Sequence, residues 1–400
     1  MITIHPFKAW RPPSELVDKT ACMPYDVIDS QEARELVSDT QNAFLHVIRP
    51  EVDVSEDVSI YADEVYEMGK RNLQKLIKEG HLLQDETPGH YVYQMEEKGK
   101  TFTGLFTCVS VLDYDENRIL KHELTRPDKE NDRTRHILTM RAHAEPVMLT
   151  CKDDGSLVST LSEETSSEPA MEYESPDGVI HRVWIVSNTE QLESIFSKKD
   201  FLYVADGHHR CKSASRAGEE LRGDNEYGDD EFEFFPAVIF PMQEMNILPY
   251  NRIVYSIPEN FLDSLKVKLK IEPTDNPQPG QKGQICLYTS GGWFTLNLPE
   301  TQRDLVSASL DVARLQEYIL EPLLNITDPR TDKNIHFVGG IRGTKELERL
   351  VDSGKAALGI SMYATSIEEL VAVSDAGELM PPKSTWFEPK LSSGLLVHTF

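Results

Sequence analysis

The sequence predicts an α+β protein, with a mixed sheet built around one strand-loop-helix unit and a second, smaller α/β lobe. Residues 91–95 and 103–112 are rich in β-branched and aromatic side chains and are joined by a polar, glycine-containing connection, which is typical of a strand pair. An apolar run at 201–205 and a helical pattern at 212–221 flank a short polar turn. Between residues 336 and 373, strand and helix patterns alternate.

The N-terminal region is predicted to be irregular at first and helical later. Prolines interrupt residues 1–30 and prevent a long helix there. A short helix is expected at 31–37. A longer one is expected at 61–78, where apolar residues recur on one face and Gly80 follows as a stop signal.

The middle of the chain contains two polar tracts. Residues 152–178 are dominated by Ser, Glu, Asp and Thr and lie between strand-like segments, so we expect a long hairpin or a surface excursion. Residues 219–233 are acidic and are predicted to form a solvated loop before a strand at 234–240.

A second lobe is expected beyond Ile257, with a hairpin at 284–298 and a helix at 305–324. Strands are then predicted at 336–341 and 356–362, and helices at 344–352 and 366–373. The predicted domains are a phosphate-binding lobe at 1–257, a smaller α/β lobe at 258–379, and a C-terminal tail at 380–400 that packs back on the site.

Charge and composition narrow the function classes. A net charge of -26 and a pI near 4.9 argue against a nucleic-acid surface. The N-terminus lacks signal-peptide features, and no apolar run approaches the roughly 18 residues of a membrane span, so we expect a cytoplasmic protein without a membrane partner. Five scattered cysteines suggest neither a disulfide framework nor a zinc site. A homodimer is left open.

The segment Asp206-Gly207-His208-His209-Arg210 is the strongest candidate for an active centre. A glycine between strand and helix lets the backbone turn sharply and exposes amide hydrogens where an anion can sit. The imidazoles and the guanidinium add donors, and Asp206 can accept from a hydroxyl, orient a histidine or hold Mg²⁺. The alternative is a satisfied helix cap with two incidental histidines.

A second candidate is the charged block at residues 121–136. Lys121, His122, Glu123, Thr125 and Lys129 together offer a charge clamp, a proton acceptor and metal ligands, as phosphoryl transfer requires. A solvated helix start with locally paired charges explains much of the same pattern.

Several irregular segments combine an aromatic side chain with a cationic side chain and a hydrogen-bonding group. Such segments are suited to stack bases and to bind carboxylates. The substrate-binding candidates are Trp10, Arg11, Tyr25, Asp26, Asn251, Arg252, Lys383, Ser384, Thr385 and Trp386.

Five segments of the chain resemble those shared by a widespread bacterial family labelled a domain of unknown function. They are residues 8–12, 24–27, 121–133, 206–210 and 381–387. The Asp-Gly-His-His-Arg loop also resembles the phosphate-binding loop of the ParB and sulfiredoxin-like superfamily, which includes a free-serine kinase. The resemblance implies a ParB/sulfiredoxin-like sheet core in which Asp206, Gly207, His209 and Arg210 contact phosphate. A sulfiredoxin activity is disfavoured, because that family has a cysteine before the histidine of its motif, whereas Cys211 follows the arginine here. A role in DNA partitioning is disfavoured by the acidic charge of the chain.

The leading functional prediction is a phosphotransferase that moves phosphate between a nucleotide, ATP or ADP, and a small hydroxyl metabolite such as serine, with Mg²⁺ on the phosphates. The alternatives are a metal-assisted phosphatase or nucleotide hydrolase, and a non-catalytic nucleotide or metabolite sensor. Glu123 is the candidate base from chemistry alone. The predicted catalytic residues are His122, Glu123, Asp206, His208 and His209. The predicted phosphate-binding residues are Lys121, Thr125, Lys129, Arg133, Gly207, His209 and Arg210.

Overall fold

The computed structural model describes residues 1–25, 27–37, 40 and 43–400, and the described chain forms two compact units. The first unit comprises Met1–Lys121, Thr125–Met245 and Pro389–Phe400. The second comprises His122–Leu124 and Asn246–Glu388. The division of the chain into functional lobes with boundaries at residues 257 and 379 remains a prediction.

The described residues form a mixed α+β structure with one large sheet and several smaller ones. Strands β1 to β21 span, in chain order, Ile4–His5, Trp10–Arg11, Leu83–Gln84, Tyr91–Glu97, Lys100–Ser110, Ile119–Leu120, Ala142–His143, Val147–Cys151, Met171–Glu174, Ile180–Ile185, Leu202–Asp206, Phe234–Pro241, Ile247–Leu248, Asn251–Val254, Ile271–Pro273, Gln284–Thr289, Gly292–Asn297, Ile335–Val338, Leu358–Ser361, Trp386–Phe387 and His398–Thr399. Helices α1 to α14 span Val17–Thr20, Ser30–Val37, Leu45–Ile48, Asp63–Lys78, Val111–Asp115, Pro127–Met140, Ser156–Glu164, Thr189–Phe196, His208–Arg222, Phe261–Lys268, Asp311–Leu315, Glu321–Leu324, Gly343–Asp352 and Ile367–Asp375.

The large sheet of the first unit is mixed. Among the described residues its strands lie in the order β6-β11-β8-β12-β5-β4-β10-β9, and β1 pairs with β5. Strand β12 is parallel to β8, whereas β11 is antiparallel to β8 and parallel to β6. Every residue of β8 and β12 is buried, because these central strands consist almost wholly of apolar side chains. This sheet positions the end of β11 beside β8.

The polar tract at 152–178, for which a long hairpin or a surface excursion was expected, has regular secondary structure. It contains helix α7 and strand β9. The carboxylate of Asp153 accepts hydrogen bonds from the backbone N–H groups of Gly155, Leu157 and Val158. The first turn of α7 is therefore capped by a side chain just before it, which stabilises a helix in a largely polar sequence.

The second unit contains a six-stranded sheet in the order β15-β17-β16-β19-β14-β18, and all its described pairs are antiparallel. The helix expected at 305–324 is broken into α11, a π-helical turn at Gln316–Leu320, and α12. Pro322 accounts for the break, because it has no N–H to donate to the preceding turn. Within the part of the chain that the structure describes, no helix is both long and apolar enough to span a membrane.

Candidate active site

The predicted strand, turn and helix are all present around Gly207. Strand β11 ends at Asp206, Gly207 caps the N-terminus of α9, and the first helical residue is His208. Gly207 has a φ of +99°, a conformation that side-chain-bearing residues rarely adopt. A Cβ atom at this position would lie 3.2 Å from Cβ of Val147 and 3.2 Å from Nε of Arg210. Glycine is therefore required by both the backbone and its surroundings.

Asp206 forms an ion pair with a lysine from the C-terminal segment. Its Oδ2 atom lies 2.8 Å from Nζ of Lys390, and both side chains are half-buried. Burial raises the pKa of the Asp206 carboxyl, but the charges of Lys390 and Arg210 outweigh burial and hold this pKa well below its usual value. Lys390 lies in the C-terminal segment, 184 residues from Asp206 along the chain.

A cleft beside the loop brings two predicted arginines together. It has about 370 Å³ of empty volume. We call it the arginine cleft; Arg133, His136, Ile137, His143, Ala144, Glu145, Val147, Arg210, Phe235 and Pro236 line it. Arg210 donates a hydrogen bond from Nη1 to the carbonyl oxygen of Pro146, which holds the start of α9 against the start of β8. Arg133 reaches the cleft from α6, which packs against α9.

Among the described residues that line the arginine cleft, Arg133 and Arg210 are positively charged and Glu145 is the one carboxylate. Burial lowers the pKa of Arg133, but the carboxylates of Asp132 and Glu145 more than offset it, so Arg133 stays charged. Burial lowers the pKa of His136 to about 3 and that of His143 well below its usual value, so both are neutral at physiological pH. Nε2 of His143 is buried and has no hydrogen-bond partner among the described residues. The hydrogen-bonding capacity of this buried nitrogen is thus not met by the described residues.

The two motif histidines have different surroundings. His208 is buried in the first turn of α9, whereas His209 is half-buried. Nε2 of His209 accepts a hydrogen bond from the backbone N–H of Arg126 at 3.0 Å. This contact ties the start of α9 to the residue that precedes α6.

The charged block at 121–133 is divided between the two units. Nζ of Lys121 lies 4.0 Å from the centre of the Tyr114 ring, and burial lowers its pKa. The Thr125 hydroxyl donates to Glu130. Neither Lys121 nor Thr125 is among the described residues that line the arginine cleft. His122 and Glu123 belong to the second unit, where the carbonyl oxygen of His122 accepts from the N–H of Met380 at 2.8 Å.

A second cleft shares Arg133 and His136 with the first. It has about 390 Å³ of empty volume. We call it the tyrosine cleft; its other lining residues are Tyr25, Arg49, Pro50, Glu51, Ile60, Tyr61, Val65, Tyr66, Lys129 and Asp132. The guanidinium carbon of Arg133 lies 4.3 Å from the centre of the Tyr25 ring, a cation–π contact. The predicted site residue Asp26 lies outside the described residues.

Trp10 and Arg11 are engaged in contacts that hold the N-terminal segment. Nε1 of Trp10 donates to Oγ1 of Thr399, and Nε of Arg11 lies 2.9 Å from Oδ1 of Asp85. These are contacts within the fold, and a role of either residue in substrate binding stays a prediction.

The remaining predicted substrate residues lie in the second unit. Arg252 is buried and donates to the carbonyl oxygens of Tyr250 and Lys383, and burial lowers its pKa to about 10. Asn251 accepts from the N–H of Met362. The other contacts are these: Ser384 donates to the Pro381 carbonyl, Trp386 donates to Glu388, and Thr385 is half-buried. Most of these groups are committed to backbone or neighbouring side chains of their own unit.

The fold and the site define an α+β protein in which a glycine-capped helix begins beside a cationic cleft. The chain belongs to the family described as "Protein of unknown function (DUF1015)", which it matches over residues 4–313. The sequence matches no curated protein.

Three solved structures are similar in outline. A free serine kinase in complex with ADP has 12% identity and a TM-score of 0.38, covering 72% of this chain and 92% of its own. SbnI with a C-terminal truncation, from Staphylococcus aureus, has 13% identity and a TM-score of 0.41, covering 73% and 87%. A conserved hypothetical protein from Pyrococcus furiosus has 13% identity and a TM-score of 0.37, covering 70% and 90%. At such low scores these similarities carry no functional argument.

Proposed function

We propose that this protein is a nucleotide-dependent phosphotransferase with a ParB/sulfiredoxin-like core, which moves a phosphoryl group from ATP or ADP to a small hydroxyl metabolite. One observation carries the proposal. The N-terminus of α9 is capped by a glycine with positive φ, and the half-buried Arg210 of its first turn lines a cleft together with the buried Arg133. This combination of features is suited to a phosphate group.

The chemistry follows from the donors on hand. The first turn of a helix has N–H groups without partners in the helix, and the helix dipole adds partial positive charge there. Arg210 and Arg133 add two permanent positive charges beside this turn, and guanidinium groups bind phosphate oxygens through charge-assisted hydrogen bonds. Fixed donors of this kind stabilise the charge that develops on a phosphoryl group during transfer. Within the proposal, Asp206, His208 and His209 are the catalytic candidates nearest this turn.

Asp206 is a poor ligand for Mg²⁺ while it is paired with Lys390. The ammonium group lies 2.8 Å from Oδ2 and already neutralises the carboxylate. A magnesium ion needs several oxygen ligands and favours carboxylates without a cationic partner. The groups proposed to hold phosphate are therefore the start of α9 and the two arginines. The cytoplasmic location and the homodimer remain predictions.

Ligand screening by thermal shift tests the proposal directly. Wild-type protein is heated with ATP, ADP, AMP or inorganic phosphate, each with and without Mg²⁺. A ligand at about a hundred times its Kd stabilises the fold by about 2.7 kcal/mol. We expect ATP or ADP to raise the Tm, and phosphorus NMR with ATP and L-serine to show a new phosphate ester. Release of inorganic phosphate alone would indicate a hydrolase, binding without turnover a sensor, and no shift with any of these ligands would contradict the proposal.

A further inference from the structure

The tyrosine cleft adjoins the arginine cleft, because Arg133 and His136 line both of them. Ligands bound in the two clefts would therefore be neighbours. Phosphotransfer requires that a nucleotide and a hydroxyl metabolite be held close together. The arginine cleft is proposed to bind phosphate, so the occupant of the tyrosine cleft bears on the identity of the metabolite.

The charges that line the tyrosine cleft do not cancel. Three cations and two carboxylates are present, namely Arg49, Lys129 and Arg133 with Glu51 and Asp132. Nε of Arg49 lies 3.1 Å from Oε1 of Glu51. Nη2 of Arg133 lies 2.9 Å from Oδ2 of Asp132. Each carboxylate is thus paired with an arginine, and Lys129 supplies the excess positive charge of the cleft.

Both carboxylates are fixed by further hydrogen bonds. Oε1 of Glu51 also accepts from the hydroxyl of Ser30 at 3.0 Å, and Oδ1 of Asp132 accepts from the hydroxyl of Tyr66 at 2.8 Å. Lys129 lines the cleft half-buried, and no carboxylate in the described part of the chain forms an ion pair with it. The ammonium group of Lys129 therefore favours an anionic ligand in this cleft.

Apolar side chains form much of the remaining wall. Ile60 and Tyr61 are each 42% exposed, which places them at the rim, whereas Pro50 and Val65 are buried. Such a wall can contact the carbon skeleton of a small molecule. An ammonium group acts as a point charge for carboxylate or phosphate, and a neutral purine ring or a neutral alcohol would not use the charge of Lys129.

We propose that the tyrosine cleft binds an anionic group of the hydroxyl metabolite and that Lys129 selects for this group; this rests on the proposed phosphotransfer. The acceptor is then a hydroxyl compound with its own carboxylate or phosphate, and not a neutral alcohol. Its reacting hydroxyl group lies on the side of Arg133, which the two clefts share. Lys129 was predicted to bind phosphate of the nucleotide, whereas here its ligand is the metabolite.

Binding without turnover tests the selectivity directly. NMR titration of wild type measures the Kd for L-serine, D-glycerate and glycerol 3-phosphate, with glycerol as the neutral analogue. We expect at least one of the three carboxylate or phosphate compounds to bind about tenfold or more tightly than glycerol. Lys129→Met should abolish this preference, and Lys129→Arg, which keeps the charge, should retain it. Lys78→Met is the matched control, because Lys78 is an exposed lysine of α4 outside the cleft.

Turnover gives a second measurement. With ATP as donor, Lys129→Met should raise the KM for the acceptor that wild type uses by about tenfold or more. The kcat at saturating acceptor and the Kd for ADP should stay nearly unchanged, because Lys129 contacts the metabolite away from the transferred phosphorus.

The outcomes separate the two claims. If wild type binds all four compounds equally, or if Lys129→Met keeps the preference, the role of Lys129 is wrong, and ADP binding with phosphate transfer by wild type would leave the phosphotransferase proposal intact. Selectivity that depends on Lys129 without any phosphate transfer would contradict the proposed function and with it the role of the ligand as acceptor. If Lys129→Met weakens ADP binding as much as acceptor binding, Lys129 belongs to the nucleotide site and the inference fails.

Discussion

Nζ of Lys390 lies 2.8 Å from Oδ2 of Asp206, although the two residues are 184 positions apart in the sequence. The pair links the C-terminal segment to the end of β11, directly before the glycine that begins α9. The last residues of the chain are therefore part of the candidate site as well as of the fold.

Replacing Lys390 by Met should destabilise the fold at neutral pH. The folded pKa of Asp206 is depressed, so the pair stabilises the protein above the unfolded pKa of about 4, and this contribution disappears as the pH falls through the folded pKa. Because both groups are partly exposed, we expect a loss of about 1 to 2 kcal/mol in urea denaturation. Lys98→Met is the control, since Lys98 makes an exposed ion pair with Glu97. Equal effects of the two variants would contradict this interpretation.

Gly207→Ala should reduce the free energy of unfolding by more than the same substitution at another glycine with the same backbone conformation. Gly155 is that reference, because it caps α7 with a φ of +98° and a Cβ there would meet nothing within 4 Å. Gly155→Ala should lose about 1 kcal/mol from backbone strain alone. Gly207→Ala should lose more by urea denaturation and also weaken ADP binding, because the added methyl group crowds Val147 and Arg210. Comparable losses at both positions, with ADP binding intact, would show that the close approach at Gly207 is unimportant.

The buried histidines should make the protein less stable in mild acid. Burial lowers the pKa of His181 to about 4. As the pH falls below the unfolded value of about 6.5, the unfolded chain takes up a proton that the folded chain does not, and the free energy of unfolding falls by about 1.4 kcal/mol per pH unit for each such histidine. His181→Gln should reduce the loss between about pH 6.5 and about pH 5.5 by about 1 kcal/mol.

The corresponding control is His336→Gln, at an exposed position of the second unit. It should leave the pH dependence of unfolding as in wild type. A His181→Gln variant with the wild-type dependence would show that the folded protein takes up the proton at His181 as readily as the unfolded chain.

Much of the local structure near the site follows from the sequence. The apolar run before Asp206 predicts a buried strand, and the glycine after it predicts a sharp turn into a helix, and both are present. Arg133 and Arg210 were also predicted to bind phosphate, and the structure brings both to one cleft. Their shared location depends on the packing of α6 against α9, which no spacing along the chain reveals.

Other parts of the site could not be predicted from the chain alone. Glu145 lies in no motif, and it becomes notable only because distant segments, containing Tyr25 and Ser393, donate to it. His143 became a candidate because its ring nitrogen is buried without a partner among the described residues. Long-range contacts of this kind depend on tertiary packing, whereas periodicity and turn chemistry report only on neighbours in sequence.

The most direct test of the central claim is calorimetric titration of ADP into wild type, Arg210→Gln and Arg216→Gln. Arg216 lies on the same helix but pairs with Glu130, away from the arginine cleft, so it controls for the loss of one positive charge from α9. We expect wild type and Arg216→Gln to bind ADP alike, and Arg210→Gln to bind at least about tenfold more weakly, because a charge-assisted hydrogen bond to phosphate is lost. Undiminished binding by Arg210→Gln would contradict the claim that the start of α9 is the phosphate site.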